Sequence, residues 1–225
     1  MSRRSLTHQA TDALRDMILT GTLAPGERIT HDELAKRLGV STMPVRESLL
    51  RLSYEGFIEA SPNRSFRVAQ MTRSDLHDVY WMHGILAGEL TARACERTTP
   101  ELVAQLRDVM SHWNSVGPRA SADLESLNNR FHALINRAAD SPRLIAMLRD
   151  TVRFIPEHFY TMLPEWSVAS VRSHDAIVDA IEQGDVATAR QVAEEHVREA
   201  GQMLTKYFND HGYWSQPGVT DVSAS

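Results

Sequence analysis

The sequence predicts a mainly α-helical fold in two parts. An N-terminal winged helix-turn-helix of three helices and a small β-hairpin wing is followed by an all-α antiparallel bundle of about six helices. Three observations carry this: a helix–glycine–helix pattern at 34–52, two short β-prone runs directly after it, and almost unbroken helical periodicity from Ser74 onward.

The segment LAKRLGVSTMPVRESLLRL spans residues 34–52. Leu34, Ala35 and Leu38 are spaced for one buried stripe, and Gly39 ends that helix because a left-handed turn costs glycine least. Ser41 or Thr42 caps the next helix, whose first turn tolerates Pro44. Val45, Leu49 and Leu52 form its inward face, which leaves Thr42, Met43, Arg46 and Arg51 outward. A helix that shows Arg and Thr near its start, after a short helix and a turn, is suited to reading a major groove. After Gly56, FIEA and FRVA flank a polar turn with Pro62, Asn63 and Arg64, the pattern of a hairpin with Arg64 at its tip. Upstream, Leu6, Ala10, Ala13, Leu14, Met17 and Ile18 form a helical stripe that stops at Gly21.

Charge separates the two parts. Residues 1–70 carry ten Lys/Arg against eight Asp/Glu, or +2; the remainder carries fourteen against twenty-one, or −7, giving −5 in all. The first part is therefore the one fitted to phosphate. No apolar run is long enough to span a membrane, and MSRRSLTHQA lacks a signal core, so a cytoplasmic location is expected. The single cysteine, Cys95, lies in an Ala-rich helical pattern and is expected to be buried packing in a reducing compartment.

Residues 6–69 resemble the winged-helix domain of GntR-type bacterial repressors. The matching pieces are TGTLAPGERI, ELAKRLGVS, PVRESLLRL, EGFIEA and PNRSFRVA. The resemblance implies DNA contacts from Ser41, Thr42, Arg46 and Arg64; Met43, Arg51 and Asn63 join them as the neighbouring outward positions. Two departures bear on the operator: STMPVRE stands where SRTPVRE is frequent, and Asp32 stands where some members have Arg.

Helical periodicity covers about 74–97, 100–116, 121–139, 142–163, 167–183 and 185–209, with breaks at Thr99-Pro100, Gly117-Pro118, Ser141-Pro142, Pro164 and Gly184. The expected division is 1–70 for DNA binding, a hinge at 71–73, a bundle at 74–211, and a disordered tail at 212–225.

The chain has ten histidines. His83, His132, His174 and His196 fall on apolar stripes, and Asn128 lies four residues before His132, on the same helix face. Burying an imidazole without a partner is costly. Either these are hydrogen-bonded core histidines, or several share a metal ion.

Residues 74–209 resemble the FCD ligand-binding domain of the FadR branch of GntR regulators, through LNNRFHALINRAADSPRL and RSHDAIVDAIEQGDVATARQVAEEHV. The resemblance implies a divalent metal held by Asn128, His132, His174 and His196. It implies an effector pocket formed by the same residues and His83, and an organic or sugar acid as effector. Asn128 stands where Asp is usual, and His83 where Arg is common. An amide oxygen brings no charge, so three imidazoles are expected to favour Zn²⁺, or Ni²⁺, over Mn²⁺ or Mg²⁺. His83 donates to a metal-bound residue, walls the effector pocket or serves as a fourth ligand. The partners expected are double-stranded DNA with a palindromic operator, the effector, and a second copy of the chain in a homodimer. Tyr80, Trp81 and Ile85 are expected on the helix face away from His83. Competing readings are a hydrolase-like metal enzyme, a sensor of the metal itself, and a pocket that has lost its metal through Asn128.

Overall fold

The computed structural model describes residues 5–60, 65–116, 121–156 and 163–215. Asn63 and Arg64, expected at the wing tip, lie outside the described residues. The described parts of Met1–Asp75 and Phe208–Ser225 form one compact unit, and those of Leu76–Tyr207 the other.

In the first unit, α1 is Leu6–Leu19, α2 is His31–Leu38 and α3 is Thr42–Tyr54. Gly39 ends α2 at φ 67°, as the glycine signal predicts. Thr30 caps α2: its hydroxyl accepts from the Glu33 N–H at 3.4 Å and donates to the Glu33 carboxylate at 2.7 Å. Leu14, Val45, Leu49 and Leu52 are fully buried between the helices. Thr11 and Ser48 are also buried there, and their hydroxyls bond each other at 3.0 Å. The two runs after Gly56 form β2 (Ile58–Ala60) and β3 (Phe66–Val68). A strand not foreseen, β1 (Arg28–Ile29), pairs antiparallel with β3, so the sheet order is β1-β3-β2.

The bundle consists of α4 (Arg73–Glu96), α5 (Pro100–Ser115), α6 (Ser121–Ala139), α7 (Pro142–Val152), α8 (Pro164–Gln183) and α9 (Val186–Asp210). Thr99 caps α5 as expected, accepting from the Leu102 N–H at 3.2 Å, and Gly184 closes α8 at φ 70°. The core gathers Leu90, Leu106, Phe131, Ile135, Ile177 and Ile181. Helices α4 and α9 run antiparallel at backbone contact. A Cβ on Gly88 would lie 3.0 Å from the Arg190 carbonyl, one on Gly84 3.3 Å from that of Glu194, and one on Gly201 2.6 Å from the Tyr80 ring.

Four expectations need correction. The helix expected over 142–163 ends at Val152, because Pro156 disfavours helical geometry before it and removes a donor. Helix α8 starts at Pro164 rather than 167, since proline suits a first turn. The tail expected to lack structure from 212 forms a 3-10 turn at Tyr213–Ser215. Tyr213 and Trp214 are buried there, with Tyr213 stacked on Phe208 at 4.5 Å. The segment 71–73 yields Arg73 to α4, because Thr72 caps that helix through Asp75.

Candidate metal centre and nucleic-acid interface

Three helices of the bundle bring three imidazoles together. His132 comes from α6, His174 from α8 and His196 from α9, and their ligand nitrogens all lie within 4.8 Å of one another. His174 Nε2 and His196 Nε2 are 3.2 Å apart. His174 is completely buried and His196 nearly so (4% exposed). Aromatic rings hold them: Phe131 stacks on His174 at 4.2 Å, Trp113 meets it edge-on at 5.0 Å, and Trp166 lies 4.9 Å from His196.

Burial sets their charge. Desolvation lowers the His132 pKa to about 4. The His174 pKa is lowered well below its ordinary value by desolvation, then by its neighbours His196 and His132. His196 follows the same pattern, with burial first and His132 and His83 next. All three are neutral near pH 7, the form that ligates a metal. Nδ1 of His174 and Nδ1 of His196 have no hydrogen-bond partner among the described residues.

Asn128 sits one turn before His132. Its buried Oδ1 has no partner among the described residues. A zinc ion bound at about 2.0–2.1 Å in tetrahedral geometry sets its ligands about 3.3 Å apart, so the 3.2 Å pair fits one ion between them. Asn128 lines the same cavity as His132 and His196, and its orphaned oxygen is a further donor atom without a partner among the described residues.

A cavity of about 680 Å³ adjoins the cluster. Asn128, His132 and His196 line it, with His83, Arg137 and Arg149. His83 stands outside the three-histidine group, on the cavity wall, with its pKa lowered to about 3 by burial and then by His132. Tyr80 does not lie away from His83. It is buried and stacks on His83 with ring centroids 6.4 Å apart, because residues three apart share a helix face. Trp81 and Ile85 are exposed as expected, and Met82 with them. The ring walls at Trp113 and Trp166 are the part sequence reasoning missed; Trp166 carried a signal, since it lies eight residues before His174, about two turns away.

The other candidate surface is the start of α3. Ser41 occupies the cap position, and its side chain makes no capping bond. Thr42, Met43 and Arg46 are exposed, while Pro44 and Val45 are buried. Arg46 has no carboxylate partner among the described residues. Arg51 is different: its Nε lies 3.2 Å from Glu55, which also binds Arg15 at 2.7 Å. First-turn acids are absent from α3, so its open N–H groups meet no carboxylate of their own.

Residues 78–199 match the FCD domain, and residues 6–68 match the gntR family of bacterial regulatory proteins. The chain belongs to the GntR family. This GntR chain is 32% identical over 195 residues to an uncharacterized HTH-type transcriptional regulator in an unstable DNA locus of Streptomyces ambofaciens, covering 82% of this chain and 79% of the relative. It is 32% identical over 133 residues to the Nta operon transcriptional regulator of Aminobacter aminovorans, covering 58% of this chain and 63% of that one. The match thus spans less than two thirds of the Nta regulator's length. The solved structure of Escherichia coli McbR/YncC shares the fold, with a TM-score of 0.66 at 24% identity over 92% of this chain and all of that one. The family and these relatives are transcriptional regulators, not enzymes. No helix among the described residues is long and apolar enough to cross a membrane.

Proposed function

We propose that this GntR chain is a DNA-binding repressor whose operator affinity is set by a small organic acid at a divalent metal, Zn²⁺ by preference. Asn128, His132, His174 and His196 would hold the metal, which would supply a Lewis-acidic anchor for a carboxylate. The observation that carries this reading is the buried 3.2 Å contact of two imidazole nitrogens, with His132 beside them and a cavity adjoining.

The residues supply four neutral donors and no negative charge. The ion would keep its attraction for an anionic effector, and the cavity wall sets two cations, Arg137 and Arg149, against one carboxylate, Glu125. A pocket of this size supports an organic ligand over a reading in which the ion alone is the signal. A hydrolytic reading draws no base from Glu195, which is exposed and accepts from Gln191 at 2.9 Å; Glu125 does line the cavity, but the family consists of transcriptional regulators.

Ser41, Thr42, Met43 and Arg46 at the start of α3 form the DNA-reading surface, and Asn63 and Arg64, which lie outside the described residues, are further DNA contacts in this reading. Arg51, tethered to Glu55, serves at the flank. The reading includes a homodimer on a palindromic operator, because one recognition helix reads few base pairs. The exposed Trp81, Met82 and Ile85 on α4 are the surface offered to the second copy. The protein acts in the cytoplasm, with residues up to about 70 binding DNA and the bundle sensing the effector.

The test is a gel shift on a duplex selected from a random pool, with Zn²⁺ and a panel of organic acids. Release of the duplex by a carboxylate only when Zn²⁺ is present supports the reading. Release unaffected by Zn²⁺ or by His132→Ala removes the metal from it.

A further inference from the structure

The outward face of α3 is unusual in its chemistry. Of the side chains in its first turn, Met43 is the large apolar one left in solvent, at 64% exposure. A lone exposed apolar residue ordinarily needs no explanation. Here position and surroundings give one. Met43 follows Thr42 at the helix start, and Arg46 stands one turn on as a cation with no carboxylate partner among the described residues. Pro44 and Val45 turn inward, so Met43 projects from the same edge as Arg46. The first turn carries no acid.

A major-groove floor offers hydrogen-bonding edges and one apolar group, the 5-methyl of thymine. Arg46 suits a guanine edge. An unbranched thioether has no hydrogen bond to give to a base edge, and is long and adaptable enough to cover a methyl. We infer that Met43 is a specificity-determining residue that packs on a thymine 5-methyl group in each operator half-site. This rests on the reading of α3 as the recognition helix.

The test uses the full chain and duplexes selected from a random pool. Each thymine of the selected site is replaced in turn by deoxyuridine, which removes only the methyl. One position, the same in both half-sites, should weaken binding about four-fold, the worth of one buried methyl group. In Met43→Ala the same replacement should change nothing, while replacements elsewhere behave as in the native chain. Exposure of Met43 lets the variant keep its fold, which circular dichroism checks. Binding indifferent to every thymine methyl, or equally methyl-sensitive in Met43→Ala, would overturn the inference and leave α3 as the recognition helix. Selection that enriches no sequence at all would overturn both.

Discussion

His174 Nε2 lies 3.2 Å from His196 Nε2 in the bundle interior, and Nδ1 of each ring is without a partner among the described residues. Two neutral imidazoles in this position either share one proton between the Nε2 atoms or turn both lone pairs toward a cation. The first leaves one buried Nδ1–H unpaired, at a cost of about 1–3 kcal/mol. The second leaves both Nδ1–H groups unpaired, so the bonds from Nε2 to the ion would have to outweigh twice that cost, with His132 and Asn128 as the further donors of the proposed site.

Replacing Asn128 by Asp adds the negative charge the donor set lacks. Zn²⁺ affinity should rise about ten-fold or more, since a carboxylate beside a divalent ion gains more than it loses on burial. Carboxylate effectors should bind more weakly, because the metal's charge is partly spent. Competition with a chromophoric chelator checks the first and calorimetry the second; unchanged Zn²⁺ affinity would place Asn128 outside the donor set.

Metal-free stability should depend on pH with a definite sign. Burial lowers the folded-state pKa of His132 to about 4 and of His83 to about 3, from 6.5. Below pH 6.5 the unfolded chain therefore binds protons that the folded chain does not. The stabilisation is full above pH 6.5 and is lost as the pH falls toward 4 for His132 and 3 for His83. The slope is about 1.4 kcal/mol per pH unit for each imidazole kept neutral. Urea melts at pH 7.5, 6.0 and 5.0 in the presence of chelator measure it, and a flat profile would contradict the burial argument.

Gly201 and Tyr80 should respond to substitution in opposite ways. A Cβ at 201 would sit 2.6 Å from Tyr80 Cγ, so Gly201→Ala should cost about 1–3 kcal/mol by overpacking. Tyr80→Phe should cost little or stabilise, because the buried Tyr80 hydroxyl has no partner among the described residues. Thermal melts of the two variants decide the matter.

Arg46→Ala should weaken binding to a selected operator by about 1–3 kcal/mol, the worth of a bidentate base contact. Arg51→Ala should weaken it less, since Glu55 holds that side chain. Equal losses, measured by fluorescence anisotropy, would place Arg51 in the groove beside Arg46.

Much of this architecture is legible in the residues. Gly39, Gly184 and the Thr99-Pro100 pair mark helix ends because their backbone demands are local. His132, His174 and His196 are legible as inward because apolar neighbours at helical spacing fix their faces. What brings them to one point is tertiary packing, which periodicity does not encode. Strand β1 has two residues, too few for a period, and exists because β3 offers an edge. Tyr80 shares the face of His83 because α4 buries more than one side, against α9 through Gly84 and Gly88 and across the core through Leu90. Tyr213 and Trp214 follow Gly212, and only their packing with Phe208 and with Arg73, 5.8 Å from the Trp214 ring, reveals them as structure.

The metal content of the full chain, purified without chelator or nickel resin, decides whether the three imidazoles hold an ion. Elemental mass spectrometry should find about one equivalent of Zn²⁺ per chain, lost in a folded His132→Ala/His174→Ala variant. A native chain that holds no metal even after incubation with Zn²⁺ would contradict the account. The three imidazoles would then be a neutral hydrogen-bonded cluster beside the cavity.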